Sequence, residues 1–203
     1  MKHKLNCLLA LACLNTVALA APQTFDFKDP KGVNNAVFKL DAPLEAVTGS
    51  ANGISGTVTF DPANPSATKG KLVVAASSLH VGNPTMKQHL HSDKWLDVAK
   101  YPQITFETKE VKNVKIIADT TAADVTGVLT IKGISKEVTV PVKLTYLKDK
   151  LGQRVPNMNG DLLVIRTSFD IKRSDFGINP GQFEEKVSDV IELTLSIAGA
   201  SPR

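Results

Sequence analysis

Three of the four histidines, His80, His89 and His91, fall within one short stretch, with Asp93 and Asp97 close behind. Neutral imidazole and carboxylate are ligands for zinc-type ions, so this cluster carries the case for a metal-dependent hydrolase or oxidoreductase. Backbone geometry argues against it. On a strand His89 and His91 would share a face, whereas on a helix they diverge by about 200°, and Asn83-Pro84 reads as an N-cap followed by Pro at the first helical position. The expectation is therefore histidines that close local hydrogen bonds, with no metal site and no catalytic residue. Ser77, Ser78 and Ser92 lie near histidines, but no Gly-x-Ser-x-Gly elbow is present. Gly49, Gly53 and Gly56 lead into a strand, whereas a phosphate loop needs a helix N-terminus. Arg173-Ser174-Asp175-Phe176-Gly177 reads as a turn, with Arg173 paired to Asp175 or Asp189 and Phe176 packed inward.

The elements that must position these residues are mostly strands. Period-two alternation runs through Thr57–Phe60, Lys71–Val74, Gln103–Glu107, Glu137–Leu144 and Ile191–Ile197. Turn signals separate them at Asp61-Pro62, Lys132-Gly133, Lys148–Gly152, Asn157–Gly160 and Asn179-Pro180-Gly181. Close turns without strand–helix alternation predict an all-β protein, an antiparallel sandwich or barrel. The exception is residues 84–98, read as one or two short helices that end by Tyr101-Pro102, since a residue before proline resists helix. Pro141 lacks a ladder donor and is expected at a rim, bulge or edge. Asp161–Arg166 lacks alternation, as in a strand covered on both faces or one whose outer face lies under the short helices.

Met1-Lys2-His3-Lys4, the apolar run Leu5–Leu14 and Ala18-Leu19-Ala20 make residues 1–20 a secretory signal peptide cleaved near Ala20. Ala10-Leu11-Ala12-Cys13 lacks the leucine expected three residues before a lipidated cysteine. Removing Lys2 and Lys4 from 24 basic residues leaves 22 against 20 acids, and Cys7 and Cys13, the only 2 cysteines, leave as well. The exported domain, 21–203, thus has no disulfide, thiol nucleophile or cysteine metal site. Without a basic run or aromatic platform it is not a nucleic-acid binder.

A series of segments resembles the YceI-like family: Ser78-Leu79-His80-Val81, His89–Asp97, Tyr101–Phe106, Val125–Val138, Lys172–Ile178 and Val187–Ile191. They stand in order at matching spacing over most of the exported domain. The resemblance implies an antiparallel lipocalin-like barrel whose apolar interior holds a polyisoprenoid or similar long-chain amphiphile, such as a polyprenyl lipid or isoprenoid quinone, without catalysis or a catalytic cofactor. It implies a periplasmic or secreted carrier, monomer or homodimer, that touches membranes transiently. Phe38–Glu45 departs from the commoner entry strand, so the ligand entrance is expected to differ. An envelope-stress module with a filled core is the bland alternative.

A barrel of about eight strands has an interior that side chains can fill or that can hold one small ligand. Taken literally, the alternation points Val58, Phe60, Leu72, Val74, Ile104 and Phe106 inward, together with Leu129, Ile131, Val140, Val142, Leu193 and Leu195. By itself that pattern favours a solid core, because filled and hollow interiors read alike; the resemblance favours a cavity. As lipid contacts we assign Val58, Phe60, Leu72, Val74, Ile104, Phe106, Leu129 and Ile131, with Phe169 and Phe176 as bulky wall and Trp95 and Tyr101 capping one end.

Overall fold

The computed structural model describes residues 21–203; the segment read as a signal peptide lies outside them. Where β-branched and aromatic residues alternate with charged ones, strands form: β1 (Gln23–Asp26), β2 (Asn35–Asp41), β3 (Ala46–Ala51), β4 (Ile54–Phe60), β5 (Lys69–Ala75) and β6 (His80–Val81). After helix α1 (Pro84–His91) come the long strands β7 (Gln103–Ile117), β8 (Thr120–Ile131) and β9 (Ile134–Leu147). A single turn of helix, α2 (Leu151–Arg154), precedes β10 (Gly160–Lys172) and β11 (Val190–Pro202).

The strands pair antiparallel in the order β1-β4-β5-β7-β8-β9-β10-β11, and Asp26 meets Ala200 to close an eight-stranded barrel. The remaining strands, β2, β3 and β6, continue the sheet in that order from β11 and add residues to the cavity wall. One edge of β11 therefore serves two neighbours, β1 at Ala200 and β2 along Glu192–Ser196. At the handover a side chain replaces a strand: buried Asn34 donates from Nδ2 to the Phe27 (3.0 Å) and Ala198 (3.1 Å) carbonyls and accepts from the Ala198 N–H (2.9 Å). Without it those buried backbone groups would stand open, at a cost of about 1–3 kcal/mol each.

One end of the barrel is solid. Phe25, Phe27 and Leu163 are fully buried and Phe60 nearly so, and the Tyr146 ring stands 6.2 Å edge-on from Phe25. Its hydroxyl donates to Asp161 Oδ2 (2.7 Å), while the Asp149 N–H donates to Oδ1 (2.8 Å) and Arg203 pairs with the same carboxylate. Burial would raise the Asp161 pKa, but these donors prevail and hold it below the ordinary aspartate value. Asp29 behaves alike: burial opposes its charge, yet the N–H groups of Asn34, Lys31 and Val33 and the Arg154 guanidinium keep it low.

Residues 84–98 hold one helix, not two. Asn83 caps it, its side chain accepting from the Thr85 and Met86 N–H groups, and after Ser92 the chain continues as hydrogen-bonded turns, with Trp95 and Asp97 N–H on the Ser92 carbonyl. The α2 turn, and not the 84–98 segment, packs on β10 and β11, with Leu151 against Gly160 at the start of β10, while Arg166 farther along is exposed. Pro141 lies one residue past the end of the β9–β10 ladder, which stops at Val142–Thr167, so its missing N–H removes no ladder bond. Its carbonyl accepts from the Thr167 hydroxyl at 2.7 Å.

Candidate functional site

Between the solid end and α1 the barrel is hollow. A cavity of about 1180 Å³ runs from Val58, Val125 and Leu144 to a mouth between α1 and the segment joining β10 to β11. Leu72, Val74, Ile104, Phe106, Phe169 and Leu193 line it and keep partial exposure, because they face space instead of other side chains. Well-packed interiors leave few voids larger than a water molecule, so a lumen of this size is a binding volume and not a packing defect. The filled-core expectation from alternation alone is thereby overturned.

Glycines shape the wall. A Cβ on Gly127 would lie 2.4 Å from Phe106 Cζ, and one on Gly49 2.1 Å from Phe38 Cζ. Both phenyl rings therefore lie flat along the wall, over a neighbouring strand that has no side chain at that point, and leave the lumen beside them open.

Of the residues assigned from sequence, Val58, Leu72, Val74, Ile104, Phe106, Leu129 and Ile131 line the cavity, as do Phe169, Phe176 and Trp95. Val140, Val142, Leu193 and Leu195 line it too. Phe60 and Tyr101 do not. Phe60 points inward two residues beyond Val58, where Tyr146 (6.3 Å between ring centroids) and Phe25 already fill the lumen. Tyr101 packs on the β8–β9 turn, close enough that a Cβ on Gly133 would lie 2.6 Å from its ring, with Lys100 Nζ 5.2 Å from its centroid. Sequence reasoning missed Phe38 and Leu40, whose alternation sits in the segment that departs from the family pattern. It also missed Leu79, Val81, Leu90 and Phe183, which come from short elements too brief to show a period.

The histidines separate. His91 Nε2 bonds the Leu79 carbonyl (2.8 Å), His89 lies at the mouth, and His80 is exposed on β6. Among the described residues no group of three or more His, Cys, Asp or Glu is placed to share a cation.

Arg173 corrects another expectation, since its side chain pairs with neither Asp175 nor Asp189. It is 1% exposed, and its guanidinium donates to the carbonyls of Ser188 (3.2 Å), Ile178 (2.8 Å), Val187 (3.1 Å), Asn179 and Gln182. All five N–H groups of the fork are thereby used. Asp189 instead receives the Ser174 N–H (2.9 Å) and hydroxyl (2.8 Å). Arg173 thus holds the whole β10–β11 connection in shape, and Phe176 at its start is buried against the cavity as expected.

A UPF0312 protein of Pseudomonas aeruginosa is 36% identical over 151 residues, covering 74% of this chain and 72% of its own length. One from Yersinia pestis is 34% identical over the same span. Among solved structures, a Campylobacter jejuni YceI protein superposes with a TM-score of 0.63 at 27% identity, over 76% of this chain and 85% of that one. At 12% identity a polyisoprenoid binding domain from Saccharophagus degradans shares the fold, with a TM-score of 0.64 over 90% of this chain and all of that domain (100%). The YceI-like domain model matches residues 30–198, and with that span, these relatives and this barrel the chain belongs to the YceI-like family.

Proposed function

We propose that this protein is an exported carrier that shields a polyisoprenoid or similar long-chain amphiphile, such as a polyprenyl lipid or isoprenoid quinone, from water. The observation that carries this reading is the 1180 Å³ apolar lumen closed at one end by packed phenylalanines and open at the other. At about 30 Å³ per water-sized group it has room for roughly forty non-hydrogen atoms. Burying ten methylenes is worth about 8 kcal/mol gross at about 0.8 each, and a longer chain of about fifteen, worth about 12 kcal/mol, leaves roughly micromolar binding after an association cost of about 4 kcal/mol. The polyisoprenoid-binding function of the Saccharophagus domain that shares this fold supports the ligand class. Separation of the histidines favours carriage over metal-assisted chemistry. Export to the periplasm or beyond rests on the leader-like residues 1–20, and transient membrane contact follows from the insolubility of the cargo.

Native mass spectrometry of protein purified without detergent tests the reading. The expected result is an extra mass, released by organic solvent, that matches an isoprenoid; the same spectrum reports monomer or dimer. Protein that is fully free of ligand and takes up neither prenyl quinone nor polyprenyl phosphate overturns it.

A further inference from the structure

The cavity mouth is framed by two segments. On one side stands Trp95, in the turns after α1; on the other the β10–β11 connection, pinned by Arg173, reaches across at Phe183. Both rings line the cavity, with centroids 6.4 Å apart at 31°. Arg173 lies beneath, its Cζ 5.9 Å from the Trp95 ring, so Trp95 rests on a fixed base. Phe183 does not: it is 52% exposed, and its φ of 61° puts a bulky side chain in the left-handed region that such residues rarely occupy. Its neighbours turn tightly around it, with the Lys186 and Val187 N–H groups both on the Phe183 carbonyl.

We propose that Phe183 is the gate of the cavity: its ring, leaning on Trp95, bars the mouth and swings outward to admit or release ligand while Arg173 holds the connection in place. A half-exposed aromatic with one ring partner can turn about its side-chain torsions, whereas the base beneath it carries five hydrogen bonds. Phe183 therefore limits entry and exit alike. This inference rests on the carrier reading above.

Trp95 is the only tryptophan (Trp 1), so its emission reports directly on the mouth. Stopped-flow mixing of the intact exported domain with a short-chain prenyl benzoquinone should show saturable quenching. In Phe183→Ala, entry and exit are both expected to accelerate about fivefold, the scale of one aromatic contact. Phe183→Asn, which tolerates the left-handed backbone, should give the same rates and separates loss of the ring from loss of fold. Unchanged rates in either variant, or faster exit alone, would overturn the gate. Wild type that shows neither saturable quenching nor a bound mass would instead sink the carrier reading, and the gate with it.

Discussion

The two ends of the barrel are made from the same strands, yet one is filled and the other hollow. Along β10, Leu163 is fully buried and Phe169, six residues on, remains partly exposed to the lumen. The pattern of residue types is the same; what differs is what enters the barrel from elsewhere. At the closed end Phe25 and Phe27 arrive from the first strand and its exit, and Tyr146 folds over them, locked by Asp161. At the open end Phe176 and Trp95 pack around the lumen without filling it, and Arg173 and the α1 segment brace its walls. The closed end supplies packing, which tolerates little change. The open end supplies space, which stability does not require.

Substitutions can break or sharpen this contrast. Phe25→Ala at the closed end should lose about 3–5 kcal/mol in urea unfolding, the cost of a large cavity in a packed core; a loss below about 1 kcal/mol would mean that this end is not solid. Asp161→Ala should cost about 1–3 kcal/mol by leaving Tyr146 and the Asp149 N–H without their acceptor.

The same carboxylate makes a pH prediction. Asp161 and Asp29 have native pKa values below the ordinary one near 3.9, so their stabilisation is complete above about pH 5 and is lost as the pH falls through the native values. Asp161→Asn should therefore flatten the acid side of the stability profile, measured as urea midpoint between pH 5 and pH 2. An unchanged slope counts against the lock.

Phe106→Leu, at the cavity wall, should change stability by less than about 1.5 kcal/mol while weakening prenyl quinone binding about fivefold by titration. A stability loss as large as that of Phe25→Ala would erase the contrast between the ends. Smallest of all, Tyr101→Phe should stay within about 0.5 kcal/mol of wild type and leave ligand binding unchanged, because Tyr101 packs outside the mouth.

How far the site was legible follows from element length. Val58, Leu72, Ile104, Phe106 and Leu129 sit in strands long enough to show a period of two, and their direction follows from it. Phe183 and Leu79 sit in connections where no period exists, and Phe60 was misjudged because alternation gives a side chain's direction but not its depth along the barrel axis. Arg173 was read through charge, as the partner of an acid; burial among carbonyls is invisible to that logic, since backbone acceptors carry no letter in the sequence.

By itself the sequence determined strands β4, β5, β7, β9 and β11 with their inward faces, the Asn83 cap and the family, because each depends on local periodicity or on a series of segments in order. Closure at Asp26–Ala200, the Asn34 bridge, the Arg173 hub and the division of one barrel into a filled and a hollow end were decided only by the tertiary structure. The physical reason is that volume is a sum over side chains brought together from distant positions, so an apolar face reads the same whether it meets another side chain or empty space.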